Sequence, residues 1–188
     1  MQSNILICGV GGQGIVLTSK LIAAAAMEKD IPVMSAETIG MAQKGGSVFS
    51  FLRLGDGIYC PMFPEKTADI IIGFEPAEAV RMLPYLKDGG KIVLNTHPIM
   101  PVTATLSGSD YTGREMIEYL RRNVADVTLV DGDKACEEIG SPKVLNMVML
   151  GAAVRNDVLP FTIDDIEETM KKTVKPQFVE LNSKALRY

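Results

Sequence analysis

Residues 4–9, Asn-Ile-Leu-Ile-Cys-Gly, form a short unbroken apolar run closed by glycine, the pattern of a strand buried on both faces of a largely parallel sheet. After the glycines, residues 15–30 are rich in Ala and Leu, contain neither Gly nor Pro, and predict a well-buried helix. Residues 32–37 return as a second strand, so the chain opens with a strand–turn–helix–strand unit and a right-handed crossover between parallel strands.

The alternation then changes. Gly45-Gly46 leads into an apolar stretch at 47–54, followed by Gly55-Asp56-Gly57 and Ile58-Tyr59-Cys60, a pattern that predicts a β-hairpin turning on the glycines. Further strands are expected at 69–74, 91–95 and 126–130, with helices at 76–86 and 112–123. Residues 96–109 hold prolines, glycine and small polar side chains and predict the longest irregular loop. The remainder reads as helices at 134–139, 143–155, 162–173 and 177–186, the third opened by Thr162 and Asp165 in capping-box spacing. The last two are expected to form an arm that docks elsewhere. The pattern as a whole predicts a three-layer α/β/α Rossmann-like fold over residues 1–188, one domain with a mostly parallel sheet, an inserted β-hairpin and a helical C-terminal region.

Composition narrows the function. Hydrophobic residues make up 47% of the chain and charged residues 22%, with a net charge of −4 and no basic stripe, so nucleic acid is not an expected partner. The start, Met1-Gln2-Ser3-Asn4, has no basic or apolar signal character, no run approaches membrane-spanning length, and a cytoplasmic location is expected. Cys8, Cys60 and Cys136 are odd in number and far apart, which argues against a disulfide framework, a zinc site or an iron–sulfur cluster.

The candidate chemistry is concentrated in glycines. Gly9-Val10-Gly11-Gly12-Gln13-Gly14 sits between a strand and a helix, where free N–H groups and the helix dipole attract an anion. Glu37, at the end of the second strand, keeps open a stand-alone NAD(P)-binding oxidoreductase. A tight contact with another chain is the other reading of Gly12 and Gln13. In the stretch Gly40-Met41-Ala42-Gln43-Lys44-Gly45-Gly46-Ser47, a cation and bare backbone could approach a charged group, although taken alone a hairpin entry with a solvated lysine is the better reading. Gly55-Asp56-Gly57 resembles the start of a thiamine metal-diphosphate signature, but no Asn-Asn pair follows and a turn is the better reading. His97, the single histidine, has no neighbouring Asp, Cys or second His in the sequence and reads as a surface or packing residue; Cys60 has no adjacent base. No catalytic residue and no metal ligand is assigned.

Four stretches in order resemble the gamma domain of 2-oxoacid:ferredoxin oxidoreductases: Gly9 to Gly14, Gly40 to Ser47, residues 68–79 (Ala-Asp-Ile-Ile-Ile-Gly-Phe-Glu-Pro-Ala-Glu-Ala) and residues 146–152 (Asn-Met-Val-Met-Leu-Gly-Ala). The Gly-Met-Ala-Gln form of the second is similar to the small (beta) subunits of the indolepyruvate branch. The resemblance implies a larger partner subunit carrying thiamine diphosphate, Mg²⁺ and [4Fe–4S] clusters, with electrons passed to ferredoxin and the acyl group of a 2-oxoacid taken by coenzyme A. It implies that this chain binds none of these cofactors alone. Contact with coenzyme A, or with the neighbouring subunit, would fall to Gly9, Gly11, Gly12, Gln13, Gly14, Lys44, Gly45, Gly46 and Ser47. The family commonly has Arg where Lys44 stands, which replaces a bidentate contact by a point charge. A gamma subunit serving pyruvate, 2-oxoglutarate or a branched-chain acid is the alternative within the family.

Overall fold

The computed structural model describes residues 2–39, 45–100 and 110–188. Six strands form one sheet: β1 (Ser3–Val10), β2 (Val33–Ile39), β3 (Ser47–Leu54), β4 (Ala68–Gly73), β5 (Leu86–Asn95) and β6 (Asp126–Val130), in the order β2-β3-β1-β4-β5-β6. The pairs β1/β4, β4/β5 and β5/β6 are parallel, whereas β3 runs antiparallel to both β1 and β2.

Side-chain alternation divides the core between the two faces of this sheet. Ile5, Ile7, Leu52, Leu54, Ile70, Ile72 and Val93 face one side, where they meet α1 (Ile15–Glu28), α4 (Gly132–Ile139), α5 (Leu145–Val154), α6 (Ile163–Thr173) and α7 (Val179–Arg187). Leu6, Cys8, Phe51, Ile71, Ile92 and Leu94 face the other, under α2 (Pro76–Met82) and α3 (Arg114–Asn123). Ile5, Leu6, Ile7, Ile70, Ile71 and Ile72 are wholly buried, each burial favouring the fold by about 1.5–3 kcal/mol. That explains why β1 and β4 read as continuous apolar runs rather than alternating ones. From Asn146 onward α5 is buried all round, as a helix sandwiched between the sheet and other helices must be.

The three-layer α/β/α architecture and mostly parallel sheet agree with the sequence reading, and so does the capping box, in which Thr162 and Asp165 bond each other's backbone N–H. Three local expectations do not hold. The antiparallel partners of β3 are β1 and β2, the latter joined to it through residues 40–46; residues 58–60 are not a strand, so Gly55-Asp56-Gly57 turns the chain away instead of folding a hairpin. The helix expected over 76–86 stops at Met82 and gives way to a 3₁₀ turn at Leu83–Tyr85, because Pro84 has no N–H to continue the ladder. The last two helices are no arm. Ala185 and Leu186 of α7 are wholly buried in the main core, and Glu28 of α1 accepts hydrogen bonds from Thr169 and Lys172 of α6. Among the described residues no helix is long and apolar enough to cross a membrane.

Candidate functional site

The parallel strands all point their carboxyl ends to one edge of the sheet, where the chain leaves β1 through the glycine turn. Two of its glycines have left-handed backbones, Gly12 at φ +103° and Gly14 at φ +87°, conformations that cost a residue with a Cβ about 1 kcal/mol or more. Gly14 also lies against Asn146 of α5: an added Cβ would come within 2.9 Å of the Asn146 Cβ. This close approach links the first and last of the four sequence stretches in space.

Gln13 is spent inside the fold. Its Oε1 accepts from Val10 N at 2.7 Å and its Nε2 donates to Phe74 O at 2.9 Å, so its amide closes the turn and fastens it to the end of β4. Asn95 repeats the device one strand further on, with Nδ2 donating to Phe74 O and Oδ1 accepting from Gly132 N at the start of α4. Gly9 is walled in as well, since a Cβ there would fall 2.6 Å from Gln13 Oε1.

What faces outward is a recess of about 460 Å³ lined by Gly11, Gly12, Gly14, the first turn of α1, Lys20 and Val48. The N-terminus of α1 has no side-chain cap and no acidic residue in its first turn, so its leading N–H groups and the positive end of its dipole are uncompensated there. A Cβ on Gly12 would meet nothing within 4 Å and would project into open space. Gly11 N donates to Gly46 O at 2.8 Å, which brings the second glycine stretch beside the first. Of the nine sequence candidates, Gly11, Gly12 and Gly14 line the recess, Gly45 and Gly46 stand next to it, and Gly9 and Gln13 form its support. Ser47 turns its hydroxyl to Glu78, and Lys44 lies outside the described residues.

Two buried acids flank this edge, and sequence reasoning gave them no role although both lie in the third stretch. Glu75, 2% exposed, caps α2 by accepting from Glu78 N, and also accepts from the Tyr111 hydroxyl at 2.5 Å. Glu78, 7% exposed, accepts from the Ser47 hydroxyl at 2.5 Å and has Arg81 at 3.4 Å. Glu75 therefore ties down the segment containing Tyr111, and Glu78 the start of β3. Burial and the nearby Glu78 and Glu75 push the Cys8 thiol far up, so this cysteine supplies no thiolate. His97 is a surface residue, as the sequence reading has it, yet it does have an acidic neighbour: its Nδ1 lies 2.5 Å from Asp133 Oδ2, a partner 36 residues away. Both are largely exposed, at the same edge of the sheet.

Glu37 is placed poorly for a dinucleotide. Antiparallel β3 separates β2 from β1, which carries the second-strand acid about one further strand spacing, roughly 5 Å, from the glycine turn. Among the described residues no group of three or more His, Cys, Asp or Glu side chains is arranged to hold a metal.

A mostly parallel sheet presenting glycine backbone and an uncapped helix N-terminus at its carboxyl edge defines the chain as an α/β module with an anion-attracting edge. The chain belongs to the pyruvate ferredoxin/flavodoxin oxidoreductase family, which matches residues 4–188. It is 40% identical over 188 residues to the indolepyruvate oxidoreductase subunit IorB of Archaeoglobus fulgidus, covering all of this chain and 93% of that protein. The crystal structure of pyruvate oxidoreductase subunit PORC from Thermotoga maritima superimposes with a TM-score of 0.73 at 26% identity, over 99% of this chain and 93% of that one. A 2-oxoglutarate:ferredoxin oxidoreductase from Magnetococcus marinus, with 2-oxoglutarate, coenzyme A and succinyl-CoA bound, contains the same fold: TM-score 0.73, 21% identity, 98% of this chain and 30% of that one. The resemblance drawn from the four stretches is borne out, and the chain is an oxidoreductase subunit similar to those of the indolepyruvate type.

Proposed function

We infer that this chain, as a single domain, is the small subunit of an indolepyruvate-type 2-oxoacid:ferredoxin oxidoreductase, which decarboxylates an arylpyruvate oxidatively to an acyl-CoA and delivers the electrons to ferredoxin in the cytoplasm. The observation that carries this reading is 40% identity over the entire chain to a subunit of that enzyme. In this reading a larger subunit holds thiamine diphosphate, Mg²⁺ and the [4Fe–4S] clusters and supplies the carbanion and electron-transfer chemistry.

The contribution of this chain is backbone. The leading N–H groups of α1, Gly12 without a Cβ, and Lys20 in the same recess suit the diphosphate of coenzyme A. Gln13 and Asn95 hold that backbone rigid, and the pairs Glu75–Tyr111 and Glu78–Ser47 position the segments around it. Coenzyme A contact through Lys44 stays part of the proposal, as a point charge.

Co-expression with the large subunit is expected to give a stable complex with indolepyruvate-dependent dye reduction, while the isolated chain is inactive. A purified large subunit that is fully active without this chain would overturn the reading.

A further inference from the structure

At β6 the sheet ends on an open edge. This strand is bonded to β5 alone among the described residues, and each of its residues is partly exposed. It carries none of the devices that blunt an edge strand: its sequence, Asp-Val-Thr-Leu-Val, has no Pro, Gly or Lys, and its register with β5 is unbroken.

One hydrogen bond decides which backbone groups stay open. Val130 O accepts from Thr96 N at 2.9 Å, on the side of β5. The N–H and C=O of a strand residue leave on the same side and switch sides at each step. Asp126, Thr128 and Val130 are therefore turned to β5, while Val127 and Leu129 point both groups outward. These outward groups have no backbone partner among the described residues.

The side chains divide between the faces in the same way. Val127 and Leu129 pack into the core under α2 and α3. Asp126, Thr128 and Val130 lie on the face of α5, where the Thr128 hydroxyl donates to Asn156 Oδ1. On that face a cavity of about 550 Å³ runs along β6 from Thr128 to Asp131, with Lys134, Val148 and Arg155 in its wall. It offers free positive charge in a chain whose net charge is −4. Asp131 spends its carboxylate on Lys134 N. Arg155 donates to Leu186 O and has no carboxylate partner among the described residues, and the Lys134 ammonium has Glu138 no closer than 3.9 Å. The opposite charge sits at the other end of the strand: the Asp126 side chain is 48% exposed, with Lys91 at 3.6 Å.

We propose that β6 is the junction of a symmetric dimer, in which it pairs antiparallel with β6 of a second copy of this chain. The register that overlaps the whole strand puts the two-fold axis at Thr128. Val127 of each copy then lies opposite Leu129 of the other. These are the residues with open backbone, so each exchanges both hydrogen bonds with its counterpart. Their apolar side chains meet on one face of the extended sheet, and the two Thr128 side chains meet on the other. Asp126 of each copy lands beside Val130 of the other, at the cavity that holds Lys134 and Arg155. The strand is thus complementary to itself in backbone, apolar contact and charge. It lies across the sheet from β3, whose Val48 lines the glycine-turn recess, and the proposal is independent of the function inferred above.

Sedimentation velocity of the full chain, with amide hydrogen exchange at matched concentrations, tests it. The chain should pass from monomer to dimer between about 1 µM and 500 µM, since a short strand pair buries little area. Protection should appear with the dimer at the Val127 and Leu129 amides, while β2 at the other edge gains none. Leu129→Pro removes an outward N–H and leaves the bonds to β5 in place, so it should raise the dimer dissociation constant at least about tenfold. Asp126→Lys, at an exposed position, should raise it about threefold or more, and adding Lys134→Asp should restore most of the affinity. A chain that stays monomeric over this range, or a dimer indifferent to both Leu129→Pro and Asp126→Lys, overturns the proposal. If protection of Val127 and Leu129 requires the large subunit, the edge belongs to that partner and the proposal falls.

Discussion

The Tyr111 hydroxyl donates to Glu75 Oε1 at 2.5 Å and accepts from Ala77 N at 3.1 Å, joining a residue beyond β5 to the cap of α2. Glu75 is almost wholly buried, so its carboxylate depends on these internal donors. In Tyr111→Phe the Oε1 oxygen keeps, among the described residues, only Ile99 N, at 3.4 Å, and the loss should cost about 1–3 kcal/mol in denaturant unfolding. Burial first, and then Glu75, raise the Tyr111 hydroxyl above its ordinary value of 10.0. The folded chain therefore holds this proton more tightly than the unfolded one, and the contribution is complete below about pH 10 and lost as pH rises further. Wild type should lose stability more steeply than Tyr111→Phe between neutral pH and strongly alkaline pH; parallel profiles would refute the pairing.

Glu167 shows the opposite sign. Hydrogen bonds from Arg187 and, more weakly, Lys171 hold its carboxyl down at about 2, against an ordinary 4.5. Arg187 is near the end of α7 and Glu167 is on α6, so the pair fastens the last helix. A depressed folded value means stability that is present above pH 4.5 and drains as pH falls toward 2. Glu167→Gln should cost about 1 kcal/mol at neutral pH, discounted because Arg187 is half exposed, and should flatten the acid limb of the stability profile. An unchanged acid limb would show that the pair does not couple α7 to the fold.

How much of this could be read from the sequence follows from how local each feature is. The strands β1 and β6 and the Thr162–Asp165 cap are set by residues within a few positions of one another, and their pattern shows directly. The partners of β3 are not local. A strand pattern beside Gly55-Asp56-Gly57 favours a hairpin, and only the sheet reveals that β3 slots between β1 and β2. At the site, the glycines were legible because a tight strand-to-helix turn with left-handed backbone needs them at fixed spacing. Glu75 with Tyr111, Glu78 with Ser47 and His97 with Asp133 were not, since each partner lies 31–36 residues away. Gln13 was legible as polar but not as internal, because one of its two partners, Phe74 just past β4, is remote in sequence.

Docking of α7 rests on Gly151. A Cβ there would come within 2.1 Å of Leu186 O, a backbone atom of a wholly buried residue. Gly151→Ala should therefore expel α7 or shift α5, at a cost of about 2–4 kcal/mol. Amide exchange should report this as protection lost in Val179–Arg187 while β1 and β4 stay protected. Retained protection in α7 would mean that α5 yields instead.

Gly12 and Gly14 separate the structural and binding roles of the glycine turn. Both have positive φ, but a Cβ on Gly14 meets Asn146 at 2.9 Å whereas one on Gly12 meets nothing within 4 Å. Gly14→Ala should destabilise the isolated chain by about 2–3 kcal/mol, strain and overlap together. Gly12→Ala carries the backbone strain alone, about 1 kcal/mol, and leaves the chain folded. Its methyl group nevertheless enters the recess over the N-terminus of α1, the contact proposed for the diphosphate of coenzyme A or a neighbouring backbone. Activity of the reconstituted enzyme, titrated with coenzyme A, distinguishes the two: Gly12→Ala should raise the coenzyme A KM or weaken assembly about tenfold or more with the fold intact. A Gly12→Ala subunit that assembles and turns over like wild type would remove the recess from the active site.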